Sequence, residues 1–206
     1  MGREDEIVKE RLRKIDELRK QRINPYPNKY EKKQDILEIL KAKLNNKVKT
    51  AGRLIAKREL GKIAFCKMQD STGIIQIVFQ KKETPKKEFD FFKKYIDSGD
   101  FVGVEGKTFK TKTGEFSILV NKIELLSKSI LPLPEKFHGL TDEEERYRQR
   151  YVDLILNEDL KDLFKKKALF WQSMRGFLID KGFLEVETPV LENTAGGADA
   201  NPFITH

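Results

Sequence analysis

Phe65, Gln76, Glu115 and Arg53 fall at outward positions of strand-like runs, and they supply a ring, an amide, a carboxylate and a guanidinium. Such a set can read an unstacked RNA base. The flat face of the base stacks on the ring, its edge hydrogen-bonds to the amide and carboxylate, and arginine holds phosphate or stacks. Stacking alone contributes about 1–3 kcal/mol per base. Each residue also has an ordinary reading. A strand aromatic is commonly core, a lone outward Gln or Glu is commonly solvated, and Arg53 could pair with a surface carboxylate. Their coincidence on neighbouring strands is what favours binding.

Strand alternation sorts the two faces. In KIAFCKMQD the set Ala64, Cys66 and Met68 suits a barrel interior, which leaves Phe65 and Lys67 outside. In GIIQIVFQ the core set is Ile75, Ile77 and Phe79, with Gln76 opposite. KVKTAGRLIAKRE turns Val48, Gly52, Leu54 and Ala56 inward and Lys49, Arg53 and Lys57 outward. GEFSILV turns Phe116, Ile118 and Val120 inward and Glu115, Ser117 and Asn121 outward. With DFVGVEGKTF these runs make five strands, and the charged helical stretch KKEFDFFKKYI lies between the third and fourth. That order is the order of an OB-fold barrel, whose second and third strands carry the usual oligonucleotide face.

Flanking elements complete the layout. Residues 4–23 predict a helix with Val8, Leu12, Ile15 and Leu18 on its apolar stripe, ending near Pro25 and Pro27. After the connector LSKSILPLPEKFHGL, Thr141 and Glu144 predict a capping box opening a helix through ERYRQRYVDLIL. A second helix is expected over about 160–181, with Leu160, Phe164, Trp171, Met174 and Leu178 near one stripe and Gly182 as its stop. FLEVETPV reads as a strand closed by Pro189, and the remainder as loop. The expected organisation is a helical extension over 1–46, a barrel over 47–128, a linker and helix over 129–159 and the start of a second domain over 160–206. The fold class is α+β.

Composition narrows the chemistry. Cys66 is the only cysteine, so an internal disulfide is excluded, and with His138 and His206 alone beside it a Cys/His zinc site lacks ligands. Cys66 is expected to be a small buried residue. No apolar stretch is long enough to span a bilayer and the charged N-terminus lacks a signal-peptide core, which points to a cytoplasmic protein with no membrane partner. Residues 1–129 hold 31 Lys and Arg against 19 Asp and Glu, whereas residues 130–206 hold 10 against 14. A basic front half suits a polyanion, because lysine and arginine release counterions from phosphates.

The runs GKIAFCKMQDSTGIIQIVF, KTKTGEFSILV, LPLPEKFHGLTDEEERYRQRYVDLI, GFLEVETPVL and GGADANPFITH resemble the class II lysyl-tRNA synthetases in order and spacing. The first is shared with the aspartyl and asparaginyl enzymes; the linker and the closing run are more particular to the lysyl family. The resemblance implies that Phe65 stacks on the central anticodon uridine of tRNA(Lys), that Gln76 and Glu115 hydrogen-bond anticodon bases, and that Arg58 is a basic residue beside them. Arg53 is added from strand parity and charge.

The helix from residue 160 and FLEVETP correspond to motif 1, a dimer-interface element ending at Pro189. Gly196 corresponds to a backbone position bordering bound lysine. The family joins lysine to ATP as lysyl-adenylate, with magnesium, and transfers it to tRNA as a homodimer. The rest of the antiparallel catalytic sheet, with motifs 2 and 3 and the magnesium ligands, would lie beyond His206. No catalytic residue or metal ligand is therefore assigned here, and the 206-residue polypeptide is expected not to make lysyl-adenylate alone. The rival readings are a stand-alone OB-fold tRNA or sequence-indifferent single-strand binding module without catalysis, a related aspartate or asparagine enzyme, and a regulatory or interaction module using the N-terminal helix.

Overall fold

The computed structural model describes residues 2–134 and 142–189. The chain forms two compact units, Met1–Glu135 and Lys136–His206. In the first unit five strands close a barrel: β1 (Lys47–Leu60), β2 (Ile63–Gln69), β3 (Ile74–Gln80), β4 (Phe101–Lys110) and β5 (Phe116–Ser127). The order around the barrel is β1-β2-β3-β5-β4. All neighbours are antiparallel except β3 and β5, which are parallel, and β1 pairs with β4 to close the circle. Sequence order and strand limits therefore agree with the OB-type reading.

The interior is built from the predicted inward sets. Leu54, Ala64, Cys66, Met68, Ile75, Ile77, Phe79, Ile118 and Val120 are all buried in one cluster. Burial pushes the Cys66 thiol up to about 12, so it is an inert apolar filler. One end is plugged by α3 (Lys86–Tyr95), whose Phe92 stacks on Phe79 with ring centroids 3.9 Å apart. A short helix not anticipated from sequence, α2 (Ile36–Leu40), buries Ile36 and Ile39 in the same cluster. Its N-terminus is held by Asp70, whose carboxylate accepts from the Ile36 amide at 3.0 Å and from Lys32 at 2.7 Å.

The N-terminal helix α1 (Arg3–Lys20) departs from expectation at two points. It stops before the prolines, because Arg22 adopts φ 60° and the Ile23 amide closes the end by donating to the Leu18 carbonyl. Its buried face comprises Arg11, Ile15 and Leu18, while Leu12 is exposed. Arginine replaces the expected leucine because the surface it meets is made of carbonyls. Arg11 donates to the carbonyl oxygens of Ser98, Ser129 and Leu131 at 2.9–3.0 Å. Beside it Lys14 bridges to Asp97, and the fully buried Lys128 bridges to Asp97 and Asp100.

In the second unit the expected single helix is two, α4 (Glu143–Arg148) and α5 (Arg150–Leu156), broken at Gln149. The cap is Asp142, accepting from the Glu145 amide at 3.0 Å; Thr141 lies outside the described residues. Asp153 joins the pieces by pairing with Arg146 and Arg150. The long helix α6 (Glu158–Asp180) forms as expected, yet of its predicted stripe only Leu160 is buried. Leu163, Leu169, Phe170, Phe177 and Ile179 are exposed as well, so the helix is apolar on more than one side. Residues 183–189 form no strand. A strand needs a ladder partner, and none stands beside them among the described residues.

Candidate nucleic-acid interface

Phe65 stands on the outer face of β2. It is half-buried and lies outside the core cluster, while Ala64 and Cys66 on either side are inside it. Its cross-strand partner on β3 is Val78, which has no exposed surface. A β-branched residue opposite an aromatic is a favourable sheet pair and gives the ring a firm flank.

The partner on the other side is Arg58 of β1. Strict alternation from Val48 would have turned Arg58 inward. The register instead slips between Leu54 and Ala56, leaving Ile55 as an extra residue. This bulge exchanges the faces of everything after it. Ala56, expected inside, is exposed. Lys57, expected outside, pairs with the inward Cys66, donates to the Ile96 carbonyl at 2.7 Å and lies 4.5 Å from the Phe92 ring centroid. Both corrections have the same cause, and the bulge is what delivers Arg58 to the face of Phe65. The turn between β1 and β2 is completed by Gly61 at φ 60°, a conformation that glycine adopts without steric cost.

Gln76 lies one row further along, opposite Lys67 on β2 and level with Ser117 on β5. It is 9% exposed, and its amide makes no hydrogen bond to any described residue. A nearly buried amide without an internal partner is available to a base edge and has little rotamer freedom to lose.

Glu115 immediately precedes β5, at the base of the β4–β5 turn. The Thr111 amide donates to its carbonyl at 3.0 Å, and Gly114 at φ 85° makes the reversal possible. The carboxylate is exposed and makes no bond or ion pair to a described residue. By register Glu115 stands four residues along β5 from Leu119, the residue level with Val78 and Phe65. That backbone offset is roughly 13 Å along the strand, so Glu115 stands toward the far end of the strip from Phe65. The strip therefore runs from the β1–β2 turn, past Phe65 and Gln76, to the β4–β5 turn, long enough for successive nucleotides.

Arg53 is not brought to Phe65. It pairs with Gln69, four residues away and so roughly 13 Å along β2. Its guanidinium lies 4.2 Å from the Phe101 ring centroid and donates to the Gly99 carbonyl at 3.3 Å. Burial lowers its tendency to hold charge. Arg53 is thus occupied in joining β1 to β4.

Pro189 is exposed at the end of the unpaired segment, and Gly196 lies outside the described residues. Among the described residues no group of three or more His, Cys, Asp or Glu could hold a metal ion, and no helix is long and apolar enough to cross a membrane.

Residues 48–126 match the model of the OB-fold nucleic acid binding domain, and residues 142–206 match that of tRNA synthetases class II (D, K and N). The lysine–tRNA ligase of Carboxydothermus hydrogenoformans is 47% identical over 205 residues, a match covering 98% of this chain and 42% of the relative. That of Fusobacterium nucleatum is 46% identical over 202 residues, covering 97% and 41%. Over nearly its whole length the chain is similar to lysine–tRNA ligases. A chloroplastic/mitochondrial lysine–tRNA ligase of Arabidopsis thaliana is 44% identical over 206 residues, covering 95% of this chain and 34% of the relative. The chain spans about two fifths of the length of the first two of these curated relatives. The barrel that carries Phe65 coincides with the first match, and α4, α5 and α6 fall inside the second.

Proposed function

We propose that the chain serves a lysine–tRNA ligase, with the barrel recognising the anticodon loop of tRNA(Lys). Phe65 stacks on the central base, Gln76 reads its edge, Glu115 reads a neighbouring base and Arg58 supplies positive charge beside the ring. The observation that carries this reading is the outward Phe65 ring, placed next to an amide with no bond to any described residue.

The ligase reaction joins lysine to ATP and passes the lysyl group to tRNA. ATP, magnesium and lysine belong to the whole enzyme, with Gly196 as the position here that borders lysine; no described carboxylate cluster fits magnesium, and no step is assigned to one. Homodimerisation through α6 and the segment ending at Pro189 is supported by the apolar side chains that α6 leaves uncovered. The compartment proposed is the cytoplasm, where tRNA(Lys) is charged for general translation.

The test is binding of an RNA hairpin bearing a central uridine in its loop, compared with the same hairpin bearing cytidine. Preference for uridine, lost in Phe65→Ala with a penalty of about 1–3 kcal/mol, is the expected result. Equal affinity for both hairpins and an unchanged Phe65→Ala variant would identify a sequence-indifferent single-strand binder instead.

A further inference from the structure

The Ile55 bulge creates a four-cornered patch on the outer face. Arg58 pairs with Phe65, and in the next row Ala56 pairs with Lys67. Arg58 and Lys67 thus occupy one diagonal, about 7–8 Å apart at their backbones, and Phe65 and Ala56 the other. Arg58, Lys67 and Ala56 are all exposed. Neither cation makes an ion pair or hydrogen bond with a described residue, unlike Lys49 and Lys122, which pair with Glu105, and Lys57, which pairs with Glu59. Acidic residues are also absent from the patch itself. Ala56, with its single methyl, leaves open space between the two long side chains.

We propose that Arg58 and Lys67 clamp one backbone phosphate of bound RNA over Ala56, next to the base carried by Phe65; this rests on the anticodon reading of the same face. The chemistry follows from the corners. A base stacked on Phe65 puts its own ribose-phosphate within one row of the ring. Ammonium and guanidinium groups approaching from two sides can each donate a charge-assisted hydrogen bond to that phosphate. A phosphate there carries no base identity, so the clamp sets the register of the strand while Phe65 and Gln76 choose the base. Lys67 is therefore a phosphate-positioning residue, and Ala56 is required to be small.

The experiment uses the 206-residue chain and the uridine hairpin, titrated at several salt concentrations. Lys67→Gln is expected to weaken binding three- to tenfold at low salt and to lower the slope of log affinity against log salt by about 0.7. The uridine-over-cytidine preference stays intact. Ala56→Leu, which keeps the charge but fills the seat, is expected to give the same loss. Lys20→Gln on α1 removes one exposed positive charge far along the chain and is the control for general electrostatics.

A hairpin with a neutral methylphosphonate at the 5′ or 3′ side of the central nucleotide should abolish the difference between wild type and Lys67→Gln for one of the two positions. The clamp is overturned if Lys67→Gln matches Lys20→Gln, if Ala56→Leu binds like wild type, or if neither methylphosphonate removes the Lys67 effect. Failure of the anticodon reading shows separately, as wild-type protein with no uridine preference whatever the phosphate result.

Discussion

Arg58 stands directly across β1–β2 from Phe65, and it does so only because Ile55 is an extra residue in β1. Were Ile55 to take a regular place in the ladder, the alternation begun at Val48 would carry Lys57 to the outer face and Arg58 to the inner one. Deleting Ile55 removes the bulge and makes Leu54 and Ala56 neighbours, so plain alternation then runs Leu54 in, Ala56 out, Lys57 in and Arg58 out. The deletion variant is therefore expected to keep Arg58 opposite Phe65 and to bind RNA as wild type does, whereas Arg58→Ala binds more weakly. Hairpin titration of the two variants, side by side, checks this. A deletion variant that loses as much affinity as Arg58→Ala would show that the bulge itself, and not the facing it sets, is what binding needs.

Phe65 and Phe79 are both strand aromatics, but they have opposite surroundings. Phe79 is fully buried and stacked on Phe92, whereas Phe65 is half-buried outside the cluster. Phe79→Ala should destabilise the fold by about 3–5 kcal/mol. Phe65→Ala should change stability by less than about 1 kcal/mol while removing the RNA preference. Urea unfolding midpoints of the two variants separate a packing residue from a binding one.

Arg11 fastens α1 to the chain segment that leaves the barrel. Its side chain is 7% exposed and bonded to three backbone carbonyls. Arg11→Leu keeps helix propensity and apolar volume but strips those carbonyls of their donor, and is expected to cost about 2–4 kcal/mol. Arg11→Lys should recover only part of this, since one ammonium cannot span the positions that a planar guanidinium reaches. Hydrogen exchange should report faster opening of α1 in both variants; protection equal to wild type in Arg11→Leu would contradict this role.

Asp70 makes the protein acid-sensitive in a defined window. Burial opposes its charge, but bonds from Lys32, the Ile36 amide and the Thr72 hydroxyl and amide outweigh it, holding the carboxyl down from its ordinary value near 3.8 to about 2. A group whose folded value is depressed contributes stability above its unfolded value and loses it as pH falls toward the folded one. The contribution should be complete above about pH 5 and fade between pH 4 and 2, amounting to about 1–2 kcal/mol once solvent screening is allowed for. Asp70→Asn should lower stability by that amount near neutrality and flatten the dependence between pH 4 and 2. Denaturant midpoints measured across that range test it, and parallel curves for the two proteins would exclude Asp70 as the titrating group.

What the sequence determined by itself was whatever short-range periodicity and turn chemistry control. Alternation separated Ala64, Cys66 and Met68 from Phe65, and the same parity put Gln76 opposite the core residues of β3. Five strands with a helix before the fourth were enough to name the barrel. Four features were decided only by tertiary structure. The Ile55 bulge comes from the fit of β1 to two neighbours at once, so counting by twos misplaced Ala56 and Lys57. Arg11 is buried because carbonyls from distant segments converge on it, which no helical periodicity encodes. Arg53 is drawn away from the base-reading strip by Phe101 and Gly99, brought to it by strand pairing 46 or more residues along the chain. Residues 183–189 stay unpaired because a strand exists only where another strand supplies its hydrogen bonds.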